Sequence, residues 1–245
     1  MARILLIETS TSVLSVALAQ DGTVVSERVC TEPRMQASLT APLVKEVMDQ
    51  AGLKARDCDA VCVSSGPGSY TGLRVGVSTA KGLAFGAGIP LLSVGTLDIL
   101  VSGASGAKRP RGSGGVAPQS VEDKDDERQF IVPMIDARRM EVYTAVYSAA
   151  DGNRLTEVEA KVIGPDSFEE YLQKGKVLFL GDGALKCKEV IGHPNALFRE
   201  AFPLAKDMAK LAQKAFEEGK FENLAYFEPF YLKDFIATVS KKNLW

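Results

Sequence analysis

Hydrophobic residues in the first hundred positions fall into short continuous blocks, separated by polar or glycine-rich stretches. Blocks of this length, rich in Val, Ile and Leu, predict β-strands, and the Asp21-Gly22 pair predicts a hairpin turn between two of them. Five strands are predicted, at 3–8, 13–19, 23–30, 59–64 and 89–94. An antiparallel meander followed by strand–helix–strand units predicts an α/β fold, in which helices pack against a mixed sheet.

Between these strands the apolar positions recur every three to four residues, which is the period of an amphipathic helix. One helix is predicted to end at Ala51, with Gly52 as its stop, and a second is predicted over 71–86. Pro42 lies inside the first helix, either in its opening turn or at a kink. A third helix is predicted to start at 96–102.

The pattern restarts after a stretch that is poor in apolar residues. Further strands are predicted at 130–135, at 140–147, up to Ile163 and at 176–180. Asp166 followed by Glu169 predicts a capped helix start. The strongly amphipathic segment 204–218 predicts a helix that stops at Gly219.

These blocks divide the chain into two lobes. The first lobe is predicted at 1–103 and a smaller second lobe at 129–203, followed by a C-terminal tail at 220–245. Helix 204–219 is expected to pack back on the first lobe. Residues 104–128 are expected to form a flexible loop, because Gly, Ser, Pro and charged residues bury too little apolar surface to offset the entropy of ordering.

The predicted loop contains the basic tetrad Lys108-Arg109-Pro110-Arg111. Four residues of this kind could contact RNA, but the acidic run that follows from Glu122 makes a solvated loop the simpler interpretation. The whole chain has a net charge of −2, so no strong global field draws it to nucleic acid or anionic lipid.

Composition places the chain among soluble globular proteins. Of its 245 residues, 46% are hydrophobic and 24% are charged, as in ordinary globular proteins. A chain of this length can bury a sizeable core. No stretch approaches the ~20 apolar residues of a membrane helix, and the apolar start is too short for a signal sequence. Four cysteines, without CxxC or zinc spacing, are expected to be free thiols in a reducing cytoplasm.

The most specific stretch is the glycine-rich turn Ser65-Gly66-Pro67-Gly68-Ser69-Tyr70, which leaves a predicted strand and opens a predicted helix. Backbone N–H groups at a helix N-terminus can bind an anion, so Gly66, Gly68 and Ser69 are candidate phosphate-binding residues. The Walker pattern GxxxxGK[ST] is absent, and tight-turn geometry alone would also explain the glycines.

The helix after this turn carries four further glycines, Gly72, Gly76, Gly82 and Gly86. Each costs ~1 kcal/mol of helix propensity relative to alanine, so an offsetting benefit is expected. Close approach of the helix backbone to a neighbouring helix or strand is the simplest benefit.

Together with three other motifs, the glycine-rich stretch resembles the signature of the TsaB family. The other motifs are Ile7-Glu8-Thr9-Ser10-Thr11-Ser12, Ile135-Asp136-Ala137-Arg138-Arg139-Met140-Glu141-Val142-Tyr143 and Glu228-Pro229-Phe230-Tyr231-Leu232-Lys233. The resemblance covers nearly the whole chain apart from 102–128. It implies a two-lobed actin/Hsp70/sugar-kinase-like (ASKHA) fold, with mixed sheets flanked by helices.

The resemblance also implies a function. The chain would be a non-catalytic scaffold or activator subunit in the synthesis of threonylcarbamoyladenosine (t6A) on tRNA. Its implied partner is the paralogous catalytic subunit TsaD, which transfers a threonylcarbamoyl group from an adenylate to the adenosine beside the anticodon, and the small ATPase TsaE joins the pair. tRNA is expected to bind through the complex, and the isolated chain could form a homodimer through the same surface.

No catalytic residue and no metal ligand is assigned. The catalytic paralog holds its metal with paired histidines on a helix, whereas this chain has the single His193. Gln36 aligns with a position where TsaB relatives often carry a histidine.

The first phosphate loop of the superfamily is altered in this chain. Glu8 is followed by Thr9-Ser10-Thr11, without the glycine that lets a backbone approach a phosphate closely. Thr9, Ser10 and Thr11 are therefore candidates for weak ATP or ADP binding only, and no cofactor is expected to be required. Efficient metal-assisted phosphoryl transfer is not expected.

The predicted partner interface consists of apolar residues on the first two helices, namely Leu39, Leu43, Val47, Leu73 and Val77. An apolar band wider than ~100° would leave a second surface beyond the one that covers the sheet. The alternative is that both apolar stripes only cover the chain's own sheet.

Two other functions are less consistent with these residues. An autonomous ATP-dependent kinase or acyl kinase of the same fold would turn over nucleotide alone and depend on Glu8, and the altered phosphate loop argues against it. A metalloprotease-like hydrolase would need ligands and a base that the single His193 does not supply.

Overall fold

A computed structural model of the chain describes residues 1–105 and 128–233. Two mixed β-sheets, each flanked by helices, form two lobes. The predicted α/β fold class is confirmed. The basic tetrad and most of the predicted loop lie outside the described residues, as do residues 234–245 of the predicted tail.

The first sheet contains five strands: β1 (Arg3–Glu8), β2 (Leu14–Gln20), β3 (Thr23–Cys30), β4 (Ala60–Gly66) and β5 (Leu91–Gly95). Their order across the sheet is β3-β2-β1-β4-β5, with β1 antiparallel to β2 and parallel to β4. Asp21 and Gly22 have φ angles of 48° and 72°, as a two-residue turn of the primed type requires. The predicted hairpin is therefore confirmed.

Three helices belong to this half of the chain: α1 (Gln36–Ala51), α2 (Tyr70–Ala87) and α3 (Thr96–Ser105). The first two end at glycines in the left-handed conformation, Gly52 with φ 67° and Gly88 with φ 68°. Helix α2 therefore ends one residue later than predicted, because Gly86 stays helical. Helix α1 and helix α2 cover one face of the first sheet, where their apolar side chains join those of β1, β2 and β4 in one core.

The second sheet contains six strands: β6 (Arg128–Asp136), β7 (Glu141–Thr144), β8 (Tyr147–Ser148), β9 (Glu159–Val162), β10 (Lys176–Leu180) and β11 (Ala196–Arg199). The order is β11-β10-β6-β7-β9, and β8 pairs with β6. Helices α4 (Glu169–Leu172) and α5 (Ala184–Ile191) flank it.

The predicted C-terminal amphipathic helix is split into two pieces. A 3₁₀ turn (Ala205–Met208) leads into α6 (Ala209–Glu217). Met208, Ala209 and Ala212 pack against the face of the first sheet opposite α1 and α2.

Helix α3 joins the two lobes through apolar contacts. Leu97 and Leu100 lie in one core with Ile131 and Leu178 of the second sheet. At the rim of this core the Tyr147 hydroxyl donates a hydrogen bond to Asp98 over 2.8 Å. The junction is therefore a packed core and not a loose tether.

Several predicted details differ from the structure. Helix α5 and strand β11 are short and have no counterpart in the predicted pattern. Helix α4 begins at Glu169, but its N-cap is Phe168 at φ 65°, and no side chain caps it, so the predicted cap by Asp166 is wrong. Residues 104 and 105 belong to α3, and Arg128 starts β6, so these three positions of the predicted loop lie in regular elements.

All four cysteines are free thiols, as predicted. Three of them are buried, and burial raises the pKa of the Cys58 thiol to about 11. In the part of the chain that the structure describes, helices are too short or too polar to cross a bilayer.

Candidate functional site

The loop after β1 and the loop after β4 meet at the start of α2. The Thr9 hydroxyl donates to the Gly72 carbonyl over 2.8 Å, and the Ser69 N–H donates to the Ser10 carbonyl over 2.7 Å. A Cβ on Gly72 would overlap the Thr9 carbonyl oxygen, and a Cβ on Gly68 would overlap that of Ser10. The glycines therefore permit a contact that larger residues would prevent.

The residues predicted to hold a phosphate are Thr9, Ser10, Thr11, Gly66, Gly68 and Ser69. The structure brings them together, but it uses them for packing. Thr9 and Ser10 expose no surface, and Thr11 is 4% exposed. Only Ser69 is exposed, and its hydroxyl caps α2 by accepting the Gly72 N–H over 3.3 Å. The three threonine and serine hydroxyls of the first loop thus do not line an open phosphate site, and weak ATP or ADP binding stays a prediction.

Glu8, the last residue of β1, is a fully buried carboxylic acid. Its Oε1 accepts the Ser10 N–H over 2.6 Å, whereas Oε2 has no partner among the described residues. Burial raises the pKa of Glu8 to about 7, although the Ser10 contacts favour the ionised form. Within the core of the first lobe, this acid changes its charge near neutral pH.

Gln36, at the first position of α1, connects that helix to the same loop. The Gln36 Nε2 donates to the Thr11 backbone carbonyl over 2.8 Å, and the Gln36 backbone carbonyl accepts the Thr40 hydroxyl over 2.5 Å. His193 lies half-buried in a loop of the second lobe, where Nδ1 accepts the Asn195 N–H over 3.1 Å. Among the described residues, no three His, Cys, Asp or Glu side chains are grouped to hold a metal ion.

Four of the five predicted interface side chains face the chain's own core. Leu43 is 8% exposed, Val77 is 4% exposed, and Val47 and Leu73 are fully buried. Leu39 is half-buried and packs at the edge of the same core. The prediction is corrected for the four buried residues, because the apolar stripes cover the first sheet and leave a partner no access to these side chains.

The solvent side of α1 and α2 carries small residues alongside charged and larger ones such as Glu46 and Arg74, and we call the small residues together with Phe85 the outward face. Its exposed members include Ala37, Ser38, Ala41, Thr71, Ser78, Gly82, Phe85 and Gly86. Apart from chain neighbours and the nearby backbone of α2 itself, no described atom lies within 4 Å of the position that a Cβ would take on Gly82 or Gly86. Phe85, between them, is 81% exposed. The described fold therefore explains Gly72 and Gly76, which contact Thr9, but not the other two glycines.

The sequence pattern gives the cost of these four glycines and places Gly72 and Gly76 on one face of the helix, but it does not say which face is buried and does not single out Phe85. The signal available was the glycine spacing, with an aromatic residue set between Gly82 and Gly86. Which pair faces inward depends on the position of Thr9, which the sequence pattern does not give.

We expect the two classes of glycine to respond oppositely to alanine. Gly82→Ala should raise the free energy of unfolding by about 0.5–1 kcal/mol, because alanine favours the helix and the new methyl group has free space. Gly72→Ala should lower it by about 1–3 kcal/mol, because the methyl group meets the Thr9 carbonyl. Urea unfolding of both variants measures the difference, and destabilisation by Gly82→Ala would show that this position packs inside the chain.

Glu8 should make stability depend on pH. Its pKa rises from 4.5 to about 7 on folding, so the folded chain retains the proton longer than the unfolded chain. The stability associated with Glu8 is complete below pH 4.5 and is lost as pH rises through 7, by about 3 kcal/mol in total. Urea unfolding should therefore show Glu8→Gln gaining stability relative to the unsubstituted chain between pH 5 and 8. A stability difference that is the same at every pH would contradict the buried, protonated state.

Comparison with known proteins relates this geometry to a family. The family model described as TsaD, tRNA N6-adenosine threonylcarbamoyltransferase, matches residues 33–241. The tRNA threonylcarbamoyladenosine biosynthesis protein TsaB of Escherichia coli is 34% identical, over 96% of each chain. The TsaB protein of Bacillus subtilis is 31% identical, over 77% of this chain and 74% of its own length.

A solved structure has the same fold. YeaZ from Pseudomonas aeruginosa superposes with a TM-score of 0.77 at 26% identity, covering 95% of this chain and all of its own. The predicted two-lobed ASKHA-like fold is therefore confirmed. With sequence and structure in agreement along nearly its whole length, the chain belongs to the TsaB family of tRNA threonylcarbamoyladenosine biosynthesis proteins.

Proposed function

We propose that this chain is a non-catalytic subunit in threonylcarbamoyladenosine synthesis, which binds and activates the catalytic paralog TsaD. Its family acts in this tRNA modification. The match of 33–241 to the TsaD family model supports a common fold for the two subunits. Two related chains can then pack through equivalent helices, as in pseudo-symmetric dimers.

The observation that carries the proposal is the outward face of α1 and α2. Gly82 and Gly86 each cost the helix ~1 kcal/mol, and no contact within residues 1–105 and 128–233 offsets that cost. Small residues let a second helix approach the backbone closely. Phe85 offers a large apolar side chain of the kind that anchors an interface, and it is 81% exposed in the isolated chain. A partner helix laid across this face would account for all three residues.

The non-catalytic role is supported by the closed loops. In this structure Thr9 and Ser10 hold α2 through short hydrogen bonds and expose no surface to a substrate. Residues committed to packing in this way are not free to cradle a phosphate in the same conformation. We therefore assign the chemistry to the paralog and the support of its active shape to this chain.

The remaining partners follow from the same proposal. TsaE would join the pair, and tRNA would bind through the complex. Without the paralog, the outward face would be open to a second copy of the chain and support a homodimer. Because the substrate is tRNA, we place this activity in the cytoplasm.

An omission assay tests the role. tRNA, threonine, bicarbonate, ATP, the adenylate-forming enzyme, TsaD and TsaE are combined with and without this chain, and threonine incorporated into tRNA is measured. We expect sustained modification only when the chain is present, and none with the chain in place of TsaD. Equal modification without the chain would refute the subunit role.

The surface is tested separately by Phe85→Ala. We expect its affinity for TsaD to fall about five- to thirtyfold, because truncating a central aromatic anchor costs about 1–2 kcal/mol. Val162→Ala is the matched control, since Val162 is 71% exposed in the second lobe, away from the outward face. Calorimetric titration measures both variants. Affinities that differ by less than twofold would exclude Phe85 from the interface.

A further inference from the structure

The segment 222–233, which we call the strap, leaves α6 and returns along the first lobe. At its start the Glu222 N–H donates to the Leu91 carbonyl over 2.8 Å, at the edge strand β5. The Ser93 hydroxyl donates to the Glu222 carboxylate over 2.5 Å. These contacts fasten the beginning of the strap to the first sheet.

Helix α2 holds the middle of the strap through one lysine. The Lys81 ammonium donates to the carbonyls of Ala225 and Phe227 over 3.2 and 3.1 Å. Leu224 and Phe227 pack against the core beneath α1 and α2. The strap therefore lies along α2 instead of projecting into solvent.

Beyond this point the strap reaches the loop that opens α2. The Phe230 N–H donates to the Ser65 carbonyl over 2.7 Å, and a Cβ on Gly66 would lie 2.7 Å from the Phe230 carbonyl oxygen. The rings of Tyr231 and Tyr70 are 4.7 Å apart. Gly66, whose φ is 110°, is thus required both by the turn and by the close approach of the strap.

The last described residue of the strap contacts the other lobe. The Lys233 ammonium forms an ion pair with the Glu141 carboxylate of β7 and lies 5.9 Å from the centre of the Tyr143 ring. Glu141 is 23% exposed and Lys233 is 38% exposed, so the pair is partly screened from water. The same strap that is bonded to the start of α2 is therefore also bonded to the second sheet.

These two connections between the lobes, within the part of the chain that the structure describes, differ in kind. Helix α3 joins them through a packed apolar core, which stays closed at ordinary temperature. The strap joins them through one half-exposed ion pair and an aromatic contact, which open at a much smaller cost. Two lobes that are joined by a stable apolar core can rotate about that core, and a weaker polar contact at another place can hold them in one position. We call such a polar contact a latch.

We propose that the strap is an inter-lobe latch, closed by Lys233 on Glu141, which couples the position of the second lobe to the start of α2. When the ion pair opens, the strap loses its contact with β7, and the Phe230–Ser65 hydrogen bond is no longer held from both ends. The second lobe then moves about the α3 core. The latch is a property of the free chain and does not depend on the proposed partner.

Hydrogen exchange on the full chain tests the coupling. Glu141→Gln and Lys233→Met each weaken the pair, and the exchange of amides in 226–233, including the Phe230 N–H, should accelerate about two- to fivefold. The double variant Glu141→Lys with Lys233→Glu should restore the original rate. The matched control is Glu159→Gln, which removes an ion pair with Lys161 on the neighbouring strand β9 and should leave the strap unchanged.

A distance measurement distinguishes a latch between lobes from a local contact. Spin labels at Lys45→Cys on α1 and Lys188→Cys on α5, both exposed positions, are introduced into a Cys30→Ser chain. Glu141→Gln should broaden the inter-lobe distance distribution, and the charge-swapped double variant should narrow it again. Faster exchange with an unchanged distribution, or exchange equal to that of Glu159→Gln, would overturn the proposal.

Discussion

The contact between the β1–β2 loop and the glycine face of α2 sets the geometry on which the rest of the first lobe depends. Thr9 reaches the backbone of α2 only because Gly72 and Gly76 have no side chains. This contact fixes both the height of the helix above the sheet and its rotation. Once Gly72 and Gly76 face Thr9, Leu73 and Val77 are turned into the core, and Gly82 and Phe85 are turned to solvent. The inner contact thus determines what the outward face can offer.

The buried acid Glu8 supports the same contact from behind. Glu8 holds the Ser10 N–H, which shapes the loop that presents Thr9 to the helix. Burial makes the ionised form of Glu8 costly and raises its pKa, whereas the hydrogen bond from Ser10 favours the ionised form. The loop therefore keeps its geometry around an acid whose charge is disfavoured by its surroundings. An acid at the end of β1, with hydroxyls beside it, has the composition of a phosphate loop. Here the Thr9 hydroxyl bonds α2 and one Glu8 oxygen accepts the Ser10 N–H, while the Ser10 and Thr11 hydroxyls and the other Glu8 oxygen are buried without a partner among the described residues.

Much of the fold is readable from local patterns, but the assignment of surfaces is not. The apolar blocks and the Asp21-Gly22 turn predict the strands of the first sheet, because the residues that specify a strand or a hairpin turn are close together in the sequence. The apolar stripes on α1 and α2 are equally clear in the sequence. A stripe shows which side of a helix is apolar, but it does not show whether the chain's own sheet or a partner protein covers that side. Leu43 and Val77 therefore read as interface residues and proved to be core. Short elements such as α5, and the left-handed Phe168, give no periodic signal at all.

The start of α2 is held from two sides, so it connects the core of the first lobe with the strap. Thr9 packs against its inner surface, while the strap bonds the loop that precedes it at Ser65 and Gly66. The inner contact is buried and is made within one lobe. The strap contact is half-exposed and continues to Glu141 in the other lobe, so a latch of the kind we propose would respond to lobe position. A partner on the outward face would bind a helix whose inner side is fixed and whose beginning can be adjusted, which are the two properties that a supporting subunit needs in order to transmit a conformational change.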